Sequence, residues 1–233
     1  MRLDKFLSNN GYGSRKDVKV LIKKKLIKVN DSYQVKPETN IDPNKDVVKY
    51  NEEVIEYKEF HYFLLNKPKG YISATEDGKQ NTVLDLLPEY HYLDLFPVGR
   101  LDKDTTGTLL ITDDGDLAHN MLSPKKHVDK IYIATTDLPI PPSIKEQFES
   151  GIILDNELTL PAKLEIIDTN IAKVTLHQGK YHQVKRMFAS FGLKVIELHR
   201  EKFAFLSVEN LKEGSFRELS DLEIEKLQNY KIK

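Results

Sequence analysis

Gly99-Arg100-Leu101-Asp102-Lys103-Asp104-Thr105-Thr106-Gly107, followed at once by Thr108-Leu109-Leu110-Ile111-Thr112, decides how the rest of this chain is read. A glycine-bounded loop carries an arginine and a carboxylate and feeds straight into an apolar run. The run Leu109–Thr112 reads as a buried strand. A strand fixes the position of such a loop and the loop exposes its side chains, so Asp102 is well placed for catalysis. The same pattern fits a plain turn, because Asp beside Gly is ordinary turn chemistry. What separates the two is the company Asp102 keeps elsewhere in the chain.

Downstream, strands are expected around Ile131–Thr135, Leu164–Ile167, Ala172–His177, Val195–Leu198 and Phe203–Val208. Helices are expected at 114–122, 142–150, 181–191 and 221–229, with Pro142 near the first turn of its helix and Gly151 and Gly192 past two C-termini. Ser220 and Glu223 match a capping box. Upstream, His61–Leu65 reads as a strand ending at Asn66-Lys67-Pro68-Lys69-Gly70, and Thr82 as the cap of a short helix stopped by Pro88. Strands and helices intermix without strict alternation, which favours an α+β fold with a mixed, largely antiparallel sheet over a doubly wound one.

The first 36 residues differ from the remainder. They carry a net charge of +7, leaving -8 for the rest of a chain whose total is -1. Leu3, Phe6 and Leu7 fall at helical spacing, Gly11-Tyr12-Gly13 interrupts, and Ser14 with Asp17 forms a capping box before the stripe Val18, Leu21, Ile22. Lys16, Lys19 and Lys23 lie off that stripe. Leu26–Val29 reads as a strand entering a turn. A segregated basic segment is the footprint of a polyanion-binding module, or else a solvated lysine-rich face. Residues 50–60 are charged with little core pattern, so a linker is expected there and the domains are read as 1–58 and 59–233.

Composition narrows the function classes. The chain has 233 residues, 39% of them hydrophobic, and no cysteine. Disulfides, thiolate metal sites and cysteine nucleophiles are excluded, and a reducing compartment fits. No apolar run approaches membrane-spanning length and no secretory core opens the chain, so a cytoplasmic protein with no membrane partner is expected. Neither HExxH nor the spacing of zinc deaminases occurs, and neither a P-loop nor GxGxxG is present, so no metal and no nucleotide cofactor is expected. Asp113-Asp114-Gly115-Asp116 lacks a full calcium-loop spacing and reads as the start of a helix.

Three further segments join the Asp102 loop: Asp129-Lys130-Ile131-Tyr132, Gln178-Gly179-Lys180-Tyr181-His182-Gln183-Val184-Lys185-Arg186-Met187, and Glu197-Leu198-His199-Arg200. Basic and aromatic residues interleave in the second, as contact with phosphates and bases requires. If 183–188 is helical, Val184, Met187 and Phe188 share a buried face and Lys185 and Arg186 project elsewhere. A lysine held near a buried aspartate keeps it ionised, ready to act as nucleophile or base. Spacing alone does not bring Lys185 to Asp102, and a solvated basic surface is the alternative.

These segments, in this order, resemble the bacterial ribosomal pseudouridine synthases over nearly the whole length. Arg2–Leu7 with Ser14-Arg15-Lys16 resembles an S4-type RNA-binding domain. Asn66–Tyr71 resembles the first synthase motif, Gly99–Asp102 with Thr105-Thr106-Gly107 the motif bearing the catalytic aspartate, and Lys130-Ile131-Tyr132 the tyrosine motif. Gly179–Phe188 resembles the third motif and Leu198–Glu201 its sequel; the form Tyr-His-Gln-Val-Lys-Arg-Met is similar to the small-subunit (16S) subfamily. Thr108 stands where the family pattern carries Leu, a swap expected at a strand edge away from the chemistry.

The resemblance implies roles. Asp102 would be the catalytic carboxylate, Tyr132 would stack on the uracil and stand ready to relay a proton, and Lys185 would pair with Asp102. Arg100 would support the flipped state from inside the RNA helix. Arg2, Lys5, Arg15, Lys16, Lys19, Lys180, His182, Gln183, Arg186, His199 and Arg200 would contact RNA. The implied partner is 16S rRNA or a small-subunit assembly intermediate, met by a monomer that needs no cofactor. Two alternatives stand beside it: a synthase for large-subunit rRNA or tRNA, and a non-catalytic S4-type RNA-binding protein.

Overall fold

The computed structural model describes residues 1–123 and 126–230. Two units separate by contact: Met1–His61 with Leu87–Leu95, and Tyr62–Leu86 with Phe96–Lys233. The excursion Leu87–Leu95, opened by a 3-10 turn at Pro88–Tyr90, groups with the N-terminal residues, which no composition shift in the sequence announces.

In the first unit, α1 (Leu3–Asn9) buries Leu3, Phe6 and Leu7. Helix α2 (Arg15–Lys23) starts at the expected capping box: Asp17 N donates to Ser14 Oγ at 3.3 Å and Ser14 N donates to Asp17 Oδ2 at 3.0 Å. Such a cap stabilises a helix by about 1 kcal/mol. Val18 and Ile22 face the core, while Lys5, Arg15, Lys16, Lys19 and Lys23 are exposed. Strands β1 (Ile27–Val29), β2 (Val48–Tyr50) and β3 (Glu53–Val54) pair antiparallel in order. The ordered unit therefore runs through most of the expected linker: Ile55 is buried, the Tyr57 ring stacks on Phe6, and Lys58 N donates to Asn10 Oδ1. A two-residue strand with exposed side chains leaves no period in the sequence, so charge alone suggests a linker there.

The second unit is built on β4 (Tyr62–Lys67), β5 (Phe96–Pro97), β6 (Thr106–Thr112), α3 (Gly115–Leu122), β7 (Lys130–Thr136), α4 (Ile144–Ser150), β8 (Ile153–Leu154), β9 (Glu157–Leu158), β10 (Lys163–Asp168), β11 (Ile171–Leu176), α5 (Gln183–Ala189), β12 (Val195–Phe203), β13 (Leu206–Ser207), β14 (Phe216–Glu218) and α6 (Asp221–Gln228). Among the described residues the main sheet runs β10-β11-β7-β12-β6-β4-β14, with β13 on β12 and β5 on β6, while β8 and β9 form a separate hairpin. Its pairings are antiparallel except β12 with β6, so the expected mixed, largely antiparallel α+β sheet is what forms.

Several elements follow directly from their residues. Every residue of β4 is buried, and β7 alternates buried and half-buried. Each fully buried Leu or Phe contributes roughly 1.5–3 kcal/mol. Asp114 caps α3, accepting from Leu117 N at 2.9 Å, and its second oxygen accepts the Tyr62 hydroxyl at 2.7 Å. Ser220 and Glu223 form the capping box of α6. At Thr82 the roles reverse. Asp85 Oδ2 accepts from Thr82 N, and the following turn is 3-10, Val83–Leu86, rather than an α-helix.

Candidate active site

The loop between Gly99 and β6 is pinned from the N-terminal side by the end of β4 and the turn after it. Lys67, at the last position of β4, is fully buried. Its ammonium donates to the carbonyls of Thr105 at 2.8 Å, Pro68 at 3.0 Å and Lys103 at 3.4 Å. Burial pushes this lysine down to about 8, with Asp104 and Asp102 pulling it back up. Ser73 clamps Leu101 from both sides: its hydroxyl donates to Leu101 O and accepts from Leu101 N, each at 2.9 Å. Gly70 N donates to Lys103 O at 2.8 Å. Backbone on either side of Asp102 is thus fixed by residues 67–73.

Helix α5 supplies the other half. Val184, Met187 and Phe188 are buried on one face, as expected, and Lys185 projects from another. Lys185 Nζ lies 2.9 Å from Asp102 Oδ2 and 2.6 Å from Asp104 Oδ1. Burial pulls the Lys185 ammonium down. Hydrogen bonds to Asp104 and Asp102, together with their charge, outweigh it and hold the lysine above its ordinary value. The Lys185 hydrogen bond holds the Asp104 carboxyl below the usual range. His182, in the left-handed region at φ 49°, precedes the helix and sets its Nε2 3.3 Å from Asp102 Oδ1. Asp102 is half-buried, so one carboxylate meets a lysine, an imidazole and solvent.

Sheet register aligns the remaining parts. Gly107 on β6 pairs with Arg200 on β12, and Arg200 pairs with Tyr132 on β7. Tyr132 therefore stands on the row of the sheet where the Asp102 loop enters it. Gly107 permits this approach: at φ +105° its Cβ would overlap Arg200 O and come 2.9 Å from Arg200 N. Next to it, Thr106 Oγ1 and His199 Nδ1 are 2.9 Å apart, and burial pushes the His199 imidazole down.

The RNA pseudouridylate synthase family matches residues 61–190 and the S4 domain matches residues 1–47. The chain belongs to the RNA pseudouridine synthases. It is 42% identical over 231 residues to a Bacillus subtilis protein named an uncharacterized RNA pseudouridine synthase, covering 96% of this chain and 97% of the relative. It is 39% identical over 227 residues to ribosomal small subunit pseudouridine synthase A of Escherichia coli, covering 96% and 98%. A crystal structure of a pseudouridylate synthase superposes with a TM-score of 0.68 at 37% identity, covering 97% of this chain and 99% of that one.

In this synthase the geometry redistributes several residues expected to face RNA. Arg200 is 2% exposed, and its Nε donates to Thr108 O at 2.7 Å while its guanidinium lies over the Phe203 ring. It braces β12 on β6 from inside the sheet. Gln183 is likewise buried, its Oε1 accepting from Lys180 N at 2.9 Å, so it shapes the turn before α5. Thr108 lies within β6 rather than at an edge, and its hydroxyl donates to Glu201 O at 2.8 Å. Lys180 pairs with Glu157 and Arg186 with Asp155, both acids of the β8–β9 hairpin. Arg2 is exposed and bound by two hydrogen bonds to the buried Asp4. Arg100 is exposed.

The residues that sequence reasoning missed are Lys67, Ser73 and Asp104, along with the contact of His182 with Asp102. Lys67 left a faint signal, a lone cation closing an otherwise uncharged strand. Ser73 left none. No helix among the described residues is long and apolar enough to cross a membrane, and among them no cluster of His, Asp and Glu could hold a metal ion.

Proposed function

We propose that this synthase converts a uridine of small-subunit (16S) rRNA to pseudouridine, with Asp102 as the catalytic carboxylate. The observation that carries the assignment is the convergence on Asp102 of Lys185 at 2.9 Å and His182 at 3.3 Å, on a loop held by the buried Lys67. The substrate half rests on the names of the small-subunit relatives and on the N-terminal S4 domain.

The reaction breaks C1′–N1, turns the uracil and joins C1′ to C5; C5 loses a proton and N1 gains one. It is an isomerisation with no net redox change. The target must leave the helical stack to reach a half-buried carboxylate. Lys185 aims Asp102 and sets a counter-charge beside it, which serves either a nucleophile or a base. Tyr132 is assigned to stack on the detached uracil, and the exposed Arg100 to fill the gap left in the RNA. Exposed Lys5, Arg15, Lys16 and Lys19, in the module read as residues 1–58, would hold phosphates. The reaction would take place in the cytoplasm, where rRNA is assembled.

The test offers transcripts of 16S rRNA, large-subunit rRNA and tRNA in turn to wild-type and Asp102→Asn protein and maps pseudouridine by sequencing. Wild type should modify one position, in 16S rRNA; Asp102→Asn should modify none while RNA affinity stays within about twofold, since only a carboxylate oxygen is exchanged for an amide nitrogen. Normal turnover by Asp102→Asn overturns the catalytic assignment. Wild-type turnover confined to large-subunit rRNA or tRNA overturns the substrate assignment.

A further inference from the structure

We propose that Tyr181 is a stacking platform for an unpaired nucleobase next to the uridine that Asp102 acts on, and so helps to select the substrate RNA. This rests on the synthase reading of the site.

Tyr181 is 75% exposed, the most exposed of the large hydrophobic side chains among the described residues. It is nevertheless not splayed into solvent. Its ring stacks on the His182 imidazole with centroids 3.9 Å apart and planes 17° from parallel. One face of the tyrosine is covered and its exposure leaves the other open. His182 in turn stands 3.3 Å from Asp102. Two short contacts in series therefore separate the open ring from the carboxylate. At roughly 3.4 Å per nucleotide step along a strand, that is the reach of a neighbouring base rather than of the target.

The turn that carries the ring does not depend on it. Lys180 N donates to Gln183 Oε1, Arg186 Nη1 donates to Tyr181 O at 3.4 Å, and Arg186 and Lys180 are tied to Asp155 and Glu157. The backbone of residue 181 is held by its neighbours, while its side chain buries little. A planar group pre-oriented at low entropy cost, with an open face beside a catalytic carboxylate, is what a base can stack on without regard to its hydrogen-bonding edge.

The experiment uses the full chain and an RNA on which wild-type turnover is seen, with 2-aminopurine placed in turn at each nucleotide flanking the target. Wild type should quench one flanking position on binding. Tyr181→Leu should lose that quench and raise KM about 10-fold or more, with the single-turnover rate at saturating RNA unchanged, whereas Tyr181→Trp should retain both quench and KM. The proposal is overturned if Tyr181→Leu matches wild type in quench and KM. It is also overturned if Tyr181→Leu lowers the saturating single-turnover rate, because the ring would then act through His182. Failure of wild type to modify any RNA is a different result: it overturns the synthase reading itself.

Discussion

Gly107→Ala tests how the site is held together. At φ +105° an alanine pays backbone strain of about 1–2 kcal/mol. Its Cβ would overlap Arg200 O and lie 2.9 Å from Arg200 N and 2.8 Å from His199 Cε1, where ordinary contact begins at 3.4 Å. Two of these atoms are backbone of β12 and cannot rotate away, so β6 and β12 must part. Parting them loosens the Arg200 Nε hydrogen bond to Thr108 O and the Thr108 hydroxyl bond to Glu201 O. Loosening these two buried bonds without breaking them costs about 2–3 kcal/mol together, so with the backbone strain the total comes to about 3–5 kcal/mol. For a chain of this size that lowers Tm by roughly 10 °C. A shift near 1 Å in the Asp102 loop should lower turnover about 100-fold. Thermal melting and pseudouridine formation measure both, with Gly115→Ala as the comparison. Gly115 opens α3 with nothing within 4 Å of its would-be Cβ, and alanine there should leave melting level or slightly raised. If Gly107→Ala melts with wild type and turns over normally, the close approach of the two strands is not what positions the site.

Alkaline titration should raise stability before it lowers it. Lys67 and Lys130 are each pushed by burial from 10.5 to about 8, so between these values the unfolded chain holds more protons than the folded one. Stability then rises from pH 8 to 10 by about 2 kcal/mol per lysine, until the opposite effect of Tyr62, whose phenol burial pushes up, takes over above pH 10. Urea unfolding across that window should show the rise, and Lys67→Met should remove half of it; a flat wild-type profile contradicts the burial of both charges. Replacing Lys16, Lys19 and Lys23 together with Gln should reduce the slope of log affinity against log salt by about 2, near 0.7 per lost contact with single-stranded RNA. An unchanged slope would make that helix face a solvated surface only.

Helices and their starts are the most legible part of the sequence, because a capping box is local chemistry: Ser14 with Asp17 and Ser220 with Glu223 open their helices where the spacing puts them. The long strands are legible because β6 and β7 carry enough residues to show burial or alternation. The hairpin of β8 and β9 is not, since two-residue strands have no period and Ile153 and Leu158 are exposed. In the site, spacing cannot produce the pairing of Lys185 with Asp102, because the two stand 83 positions apart and only the fold closes that distance. The resemblance places Lys180, Arg186 and Arg200 together among the residues facing RNA. Arg200 is buried inside the sheet and nearby acids pair with Arg186 and Lys180, facts set by tertiary packing and invisible in a tally of charges.

The parallel pairing of β6 with β12 also bears on when the protein becomes active. Parallel neighbours cannot be joined by a hairpin, and Arg200 follows Gly107 by 93 positions before the two meet. The loop carrying Asp102 is synthesised long before its lysine and the strand it leans on. Closing so long a segment is entropically costly and slow, and it is rewarded only when the sheet forms around it. A growing or half-folded chain holds the aspartate without its partners. On the role proposed for Asp102, competence to modify RNA waits for these long-range contacts, and a chain that fails to finish folding would be catalytically silent.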